Sequence, residues 1–152
     1  MESNIIDIEG VSITPIKKIC HEKGDIYHAL KSTEDSFTEF GEAYFTTVHK
    51  GDIKGWKKHT KMVMNLIVPV GEVGFYFHDR TSSKGEFIQV GLSNYVRVTV
   101  QPGIWVAFEG LKEELNLILN IILNMIIISK ITNHNTLNNI ILKIFKNLKW
   151  YF

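Results

Sequence analysis

The chain carries a succession of short runs rich in β-branched and aromatic residues, and turn-forming residues separate these runs. Residues 62–70 (MVMNLIVPV) and 73–78 (VGFYFH) flank Gly71 and Glu72, which predicts a hairpin. Residues 87–92 and 95–100 flank Ser93 and Asn94 and predict a second one. Further strands are predicted at residues 11–20, 42–49, 104–108 and 115–121. Because no helical period lies between the runs, we expect an all-β sandwich or barrel.

The composition changes abruptly near the last predicted strand. All 16 acidic residues, all 11 glycines and all 3 prolines lie at or before Glu114, whereas residues 116–152 consist mainly of Asn, Ile, Leu and Lys. A folded terminus normally contains turn residues and mixed charge. We therefore divide the chain into a barrel domain at residues 1–121 and an atypical tail at residues 122–152.

Three interpretations of the tail stay open. Residues 137–152 (LNNIILKIFKNLKWYF) could form an amphipathic helix packed on the barrel. The same helix, with Lys143, Lys146 and Lys149, could lie on a membrane surface. Alternatively, the tail is an out-of-frame translation of an AT-rich gene. The tail lacks glycine, proline and acidic residues, and Ser129 and Thr132 are its only plausible N-caps before Leu137. We therefore expect residues after about Ile121 to add little specific packing.

Bulk properties exclude several classes of protein. The formal net charge of +1 gives no reason to expect nucleic acid or an anionic membrane as the main partner. The run from Leu115 is too short and too polar to span a bilayer. The single cysteine, Cys20, cannot form an internal disulfide, and residues 1–10 do not form a signal peptide. These features indicate the cytoplasm.

Residues 55–71 (GWKKHTKMVMNLIVPVG) resemble the first motif of metal-binding cupins, in which a His-x-His pair, an acid and a glycine follow one another. Here the pair is His59 and Lys61, and Asn65 takes the position of the acid. The second cupin motif resembles residues 101–106 (QPGIWV), which end at Val106 and contain no histidine. A protonated lysine cannot ligate a metal, so we expect no metal and no other cofactor.

A metal-free cupin with these motifs resembles the dTDP-4-dehydrorhamnose 3,5-epimerase family and its sugar 3,4-ketoisomerase relatives. Residues 54–57 (KGWK) match the start of that family's active-site strand, Lys61 its following lysine, and residues 101–105 (QPGIW) its later turn. The resemblance implies a cupin jelly-roll barrel and a homodimer. It also implies metal-independent epimerisation or keto-isomerisation of a nucleotide-linked 4-keto-6-deoxy sugar, for surface polysaccharide synthesis.

The resemblance also implies roles for three catalytic residues. Lys57 occupies the position of the family's catalytic base, and His59 follows two residues later. The strand period of two places Lys57, His59 and Lys61 on one face. His59 would then be the base, because the ordinary pKa of histidine is near neutrality, and Lys61 would stabilise the enolate oxygen.

The remaining candidates would bind the substrate. Lys54 takes the family's arginine position and would contact the nucleotide phosphates. Thr47 and His49 lie where the family has polar substrate-facing residues, and Tyr44 and Trp105 would form the cavity wall. Each type also has an ordinary structural explanation, since lysines often cover a solvated strand and aromatic residues at strand spacing usually pack.

Two other functions compete with catalysis on a nucleotide sugar. The substitution at Lys57 and the unusual tail favour a non-catalytic sugar-binding or scaffold cupin. A metal-dependent cupin oxygenase is opposed by the missing ligands. The orientation of His59 distinguishes the first two hypotheses, because a catalytic base should point into the barrel beside a carboxylate or a tyrosine.

Overall fold

The computed structural model describes residues 6–125. These residues are almost entirely strands and connecting turns. The strands are β1 (Val11–Pro15), β2 (Lys18–Ile19), β3 (Ile26–Tyr27), β4 (Glu39–Thr47), β5 (Ile53–Lys58), β6 (Met62–Val70), β7 (Glu72–Asp79), β8 (Lys84–Gly91), β9 (Val96–Val100), β10 (Trp105–Gly110) and β11 (Leu117–Asn124).

Two antiparallel sheets form the domain. The larger sheet has the strand order β1-β9-β6-β11-β4, and the smaller has the order β5-β10-β7-β8. Strands β2 and β3 form a separate two-stranded ribbon. Every strand pair within these sheets is antiparallel. This arrangement is a cupin-like jelly roll, so the predicted fold class is confirmed.

The core lies between the two sheets, where alternate side chains of each strand meet. In β9, Val96, Val98 and Val100 point inward, and in β7 the inward residues are Val73, Phe75 and Phe77. Because the side-chain period of a strand is two, the intervening residues lie on the outer faces of the sheets. This alternation decides which polar residues can reach the barrel interior.

Both predicted hairpins are wrong. Strands β6 and β7 follow one another with only Gly71 between them, yet they belong to different sheets, and so do β8 and β9. Gly71 makes a corner rather than a hairpin turn. It has a φ of 79°, and a Cβ at this position would collide with the carbonyl oxygen of Leu115.

Arg97, on the outer face of the larger sheet, binds the segment that connects β3 to β4. It is 1% exposed, and its guanidinium donates hydrogen bonds to the carbonyl oxygen of Ala29 (3.0 Å) and to the carboxylate of Glu34 (2.6 Å). Nearby, the hydroxyl of Tyr95 donates to the carbonyl oxygen of His28 (2.9 Å). The hydrogen bond from Arg97 lowers the pKa of Glu34 below its ordinary value.

The last strand runs past the predicted domain boundary. Strand β11 continues to Asn124, and the side chains of Ile122 and Leu123 are fully buried. The expectation that residues after Ile121 pack little was therefore wrong for these two residues. The helix predicted at residues 137–152 and the interpretations of the tail lie outside the described residues.

Within residues 6–125, no helix is long and apolar enough to cross a membrane.

Replacing Ile122 by alanine should destabilise the barrel by about 2–5 kcal/mol, because it leaves a cavity in a dry core. The neighbouring residue provides the control. Ile121 lies on the other face of β11 and is only half-buried, so Ile121→Ala should cost less. Urea unfolding monitored by circular dichroism measures both changes. Equal losses for the two variants would contradict the assignment of Ile122 to the core.

Replacing Glu34 by glutamine should cost about 1.5–3 kcal/mol at pH 7, because it removes a charged hydrogen-bond partner of Arg97. The pKa of Glu34 is lowered from 4.5 in the folded chain, so its contribution to stability is present above that value and is lost as the pH falls through the folded pKa. The free energy of unfolding of Glu34→Gln should therefore vary less below pH 4.5 than that of the wild type. Glu114→Gln, at an exposed position, is the control.

Candidate active site

Strand β5 forms an edge of the smaller sheet and carries the KGWK motif. Gly55 in this motif lies against β10, where a Cβ would come within 2.5 Å of the Cβ of Ala107, so only glycine fits there. The register shifts at this point, and Lys57 is paired with Val106, whereas Lys58 is paired with Trp105. Because Val106 points into the core, the register places Lys57 on the barrel side of β5 and Lys58 on the outer side.

A small cavity lies inside the barrel, next to Lys57. Its volume is about 20 Å³, which is room for about one water molecule. Its polar lining comes from four side chains, and the remainder is apolar. The polar residues are Tyr44, Thr46, Lys57 and Asn120, and the apolar ones are Met64, Leu66, Val106, Phe108 and Ile118.

Asn120, which lines this cavity, has one amide atom without a hydrogen-bond partner. Asn120 is only 4% exposed, and its Nδ2 donates to the hydroxyl of Tyr44 at 2.9 Å. Its Oδ1 is buried and accepts no hydrogen bond in the described part of the chain. Turning the amide over would satisfy Oδ1 and leave Nδ2 without a partner instead. A buried polar atom without a partner costs about 1–3 kcal/mol, so a water molecule or a polar ligand that bonds to this atom would remove that cost.

Lys54 is bonded to the neighbouring strand β4. Its Nζ donates to Oγ1 of Thr46 at 2.8 Å and to the carbonyl oxygen of Thr47 at 3.2 Å. The same ammonium lies 5.8 Å from the centre of the Phe108 ring. An ammonium has three donors, so Lys54 retains one for an anionic ligand beside the cavity.

His59 and Lys61 do not share a strand face with Lys57. Strand β5 ends at Lys58, and β6 begins at Met62 in the other sheet. The predicted phase was therefore wrong, because the chain turns between the two sheets at residues 59–61. His59 uses its carbonyl oxygen to accept a hydrogen bond from the backbone of Gly103 (2.8 Å), and its ring is not part of the cavity lining.

The other predicted binding residues lie in different places. His49 is exposed in the turn after β4, where its Nδ1 is 3.3 Å from the carboxylate of Asp52. Thr47 acts through its carbonyl oxygen, and Trp105 lies on the outer face of the smaller sheet. Of the predicted site residues, only Tyr44 and Lys57 line the cavity.

Two of the polar lining residues were not predicted from the sequence. Thr46 and Asn120 both have inward positions on their strands. A signal for Asn120 exists in hindsight, because it lies between Ile118 and Ile122 at the spacing of two that marks a core face. An asparagine in such a row is either bonded within the core or part of a site.

The positions that match cupin metal ligands do not converge. Asn65 lies on the face of β6 away from the core, where its Oδ1 accepts from Oγ1 of Thr99 (2.9 Å) and its Nδ2 donates to the carbonyl oxygen of Ile121 (3.2 Å). Lys61 is exposed, and Val106 is packed in the core. Among residues 6–125, no group of three or more His, Cys, Asp or Glu side chains is placed to hold a metal ion.

No protein-family model matches the chain, and no curated protein matches it. Solved structures do match. A dTDP sugar isomerase from Desulfovibrio desulfuricans G20 is 28% identical, with a TM-score of 0.73 over 76% of this chain and 77% of that one.

Two more distant structures share the fold. The 3,4-ketoisomerase QdtA from Thermoanaerobacterium thermosaccharolyticum, a mutant in complex with TDP-4-keto-6-deoxyglucose, is 18% identical, with a TM-score of 0.67 over 80% of this chain and 86% of that one. The 3,5-epimerase RmlC from Legionella pneumophila Philadelphia 1 is 16% identical, with a TM-score of 0.67 over 79% and 70%. The chain therefore has the fold of the dTDP-4-dehydrorhamnose 3,5-epimerase and sugar 3,4-ketoisomerase family, as its motifs predict.

Proposed function

We propose that this protein epimerises or keto-isomerises a 4-keto-6-deoxy sugar linked to dTDP, without a metal. One observation carries the proposal most directly. A cavity between the two sheets brings together Lys57, Tyr44 and the amide of Asn120, which has one atom without a hydrogen-bond partner. Structural neighbours with this fold are isomerases and epimerases of dTDP-linked keto-sugars, which supports placing the same chemistry here.

The chemistry requires removal of a proton from a carbon next to the keto group. The electrons of the broken C–H bond move to the keto oxygen and form an enolate, and a proton is then returned to carbon or oxygen. A cation at that oxygen stabilises the enolate. We assign this role to the ammonium of Lys57, which lines the cavity and also reaches solvent.

Tyr44 is the group best placed to exchange the proton. Its hydroxyl would first pass its own proton to solvent, and the resulting phenolate would take the proton from carbon, return it to carbon or oxygen, and be reprotonated by solvent. Its hydroxyl is bonded to the Asn120 amide, which sets its direction within the cavity. The free polar atom of the same amide would bind a sugar hydroxyl or the keto oxygen. Asn120 would thus be a positioning residue for Tyr44 and a binding residue for the substrate.

Entry of a sugar requires the cavity to enlarge. Its 20 Å³ holds one water and not a sugar ring. Lys57 belongs to an edge strand that is exposed along its length. Rotation of this long side chain would open the cavity to solvent, and the core side chains that line it would have to move to admit a sugar ring. Lys54, bonded to Thr46 beside the cavity, would then receive a phosphate of the nucleotide.

A sugar-binding cupin without catalysis is the second candidate, and the position of His59 favours it. The predicted base lies in the turn outside the cavity and not beside a carboxylate or a tyrosine inside the barrel. If the barrel binds a keto-sugar without exchanging its protons, this second function applies.

We further propose a cytoplasmic homodimer that serves surface polysaccharide synthesis. The free, exposed Cys20 is compatible with a reducing compartment. The dimer and the pathway rest on the resemblance to nucleotide-sugar epimerases alone.

Replacing Tyr44 by phenylalanine should lower solvent-deuterium incorporation into dTDP-4-keto-6-deoxyglucose by about 10²–10⁴-fold, because the proton-exchanging hydroxyl is lost. Replacing Lys57 by methionine should lower it by about 10²–10³-fold through loss of enolate stabilisation. Mass spectrometry of the sugar nucleotide after incubation in D₂O measures both effects.

The matched control for Lys57 is its neighbour Lys58, which lies on the outer face of β5, so Lys58→Met should leave deuterium exchange nearly unchanged. His59→Ala provides the decisive comparison. Exchange abolished by His59→Ala and retained by Tyr44→Phe would overturn our assignment. Wild-type protein that binds the sugar nucleotide without exchange would establish the sugar-binding alternative.

Elemental analysis should find well below one equivalent of transition metal per chain. The aligned ligand positions are His59, Lys61, Asn65 and Val106, and one imidazole with at best an amide oxygen binds zinc, iron or manganese poorly. Treatment with a chelator should leave deuterium exchange unchanged. A stoichiometric metal whose removal abolishes exchange would contradict the metal-independent mechanism.

A further inference from the structure

A groove of about 780 Å³ lies on the outer face of the smaller sheet, on the other side of that sheet from the barrel interior. Its lining includes one aromatic residue from each strand of the sheet, namely Trp56 of β5, Trp105 of β10, Tyr76 of β7 and Phe87 of β8. Trp105, Tyr76 and Phe87 alternate with core residues along their strands, so their rings face outward. The volume of the groove is typical of small-molecule sites.

Two of these rings form exposed platforms at opposite sides of the groove. Trp56 is 53% exposed and Phe87 is 46% exposed. Their strands, β5 and β8, are the two edges of the smaller sheet, three strand spacings apart, or about 14 Å at ordinary spacing. A ligand that touches both platforms must therefore be longer than a single small ring.

The platform at Phe87 is fixed by its neighbours on β7. The centre of its ring is 4.9 Å from that of Tyr76, whose hydroxyl donates to Glu109 at 2.7 Å. The Phe87 ring also lies on the backbone of Gly74, where a Cβ would come within 2.6 Å of the ring. A ring that is fixed before binding loses little side-chain entropy when a ligand stacks on it.

The groove is open at Gly85, which lines it and pairs with His78 on the neighbouring strand. A Cβ at Gly85 would meet only the carbonyl oxygen of Phe77, at 3.8 Å. No side chain projects from this position, so a ligand can lie close to the backbone of β8 beside the Phe87 ring.

Polar side chains of both charges accompany the rings. Arg80 and Glu86 both line the groove, and neither forms an ion pair within residues 6–125. The guanidinium carbon of Arg80 lies 4.9 Å from the centre of the Trp105 ring, a cation–π contact that holds the guanidinium at the groove. Because a cation and a carboxylate are both present, the groove favours a ligand without net charge.

Exposed rings beside planar polar groups match the two kinds of surface that a sugar ring presents. The C–H face of a pyranose is apolar and packs flat on an aromatic ring. Its hydroxyl groups donate and accept hydrogen bonds, so they can accept from Arg80 and donate to Glu86. An anionic ligand would be repelled by Glu86, and a cationic ligand by Arg80.

We infer that this outer groove binds a neutral oligosaccharide, which stacks on Trp56 and Phe87 and forms hydrogen bonds with Arg80 and Glu86. The oligosaccharide carries no nucleotide and lies outside the barrel. The inference therefore does not depend on the proposed reaction.

Intrinsic fluorescence reports on this groove, because Trp56 and Trp105 are two of the three tryptophans in the chain. The probes are cellohexaose, maltohexaose and chitohexaose. At least one of them should change the fluorescence of the full-length protein with saturation. Glucose should bind about tenfold more weakly or worse, because a single ring can stack on only one platform.

Two substitutions test the groove in different ways. Phe87→Ala removes a platform and should raise the dissociation constant of the hexasaccharide by about tenfold. Gly85→Leu keeps every ring and fills the open position, and it should raise the constant by at least as much. Phe45→Ala is the matched control, because Phe45 is 64% exposed but belongs to β4 of the larger sheet, and this variant should leave the constant unchanged. Circular dichroism checks that each variant is folded.

Further outcomes decide against the inference. No response of folded wild-type protein to any of the three hexasaccharides would refute it. A response that Phe87→Ala and Gly85→Leu both retain would place the ligand elsewhere on the protein. Displacement of the hexasaccharide by thymidine 5′-diphosphate, or loss of the response in Lys57→Met, would assign the response to the barrel and leave the barrel proposal standing. A change from dimer to monomer in Phe87→Ala, measured by sedimentation, would show that a second copy of the chain covers the groove instead.

Discussion

The packing of two antiparallel sheets through one apolar core is the constraint on which the rest of this structure depends. Each strand must send alternate side chains into the core, and the core is filled by aliphatic and aromatic residues such as Val98, Phe75 and Ile118. A polar residue with inward parity is then held away from water. Tyr44 and Asn120 are two such residues, and their mutual hydrogen bond leaves one amide atom unsatisfied. The candidate active site is thus a consequence of strand parity in a dry barrel.

The two faces of strand β5 lie in different chemical environments, one toward the barrel interior and one on the outer face of the smaller sheet. Lys57 and Lys58 are adjacent in the chain, yet their partners on β10 are Val106 in the core and Trp105 on the outer face. Lys57 therefore lines the barrel cavity, and Lys58 lies over the indole of Trp105 on the outer face of the smaller sheet. Gly55 makes this close pairing possible, because any larger residue would collide with Ala107. The KGWK motif therefore has a structural role, because its glycine allows close packing on β10, as well as a candidate chemical role, because its second lysine lines the cavity.

The strands were predictable because β-rich runs and turn residues alternate along the chain, and local sequence records both. Their partners were not predictable in the same way. From β4 to β11 consecutive strands lie in opposite sheets, except for β7 and β8, which pair within the smaller sheet. The corner at Gly71 uses the same residue type as a hairpin turn, so the sequence does not distinguish the two. The site was predicted in part for the same reason. Lys57 and Tyr44 lie within strands, where the side-chain period of two correctly predicts the face on which each residue lies. His59 and Lys61 come after the end of β5, so the period of two does not apply to them.

The sequence by itself determined the all-β class and the absence of the usual cupin metal ligands, because these depend on residue type and on spacing within single strands. The jelly roll was implied only by the resemblance of its motifs to a known family. Only the tertiary structure decided which polar side chains meet. Asn120 of β11 reaches Tyr44 of β4 across 76 positions in the chain, and Arg97 of β9 reaches Glu34 across 63. Contacts of this kind depend on the order and register of the strands in a sheet. Order and register result from packing of the core as a whole, so a pattern within one strand does not predict them.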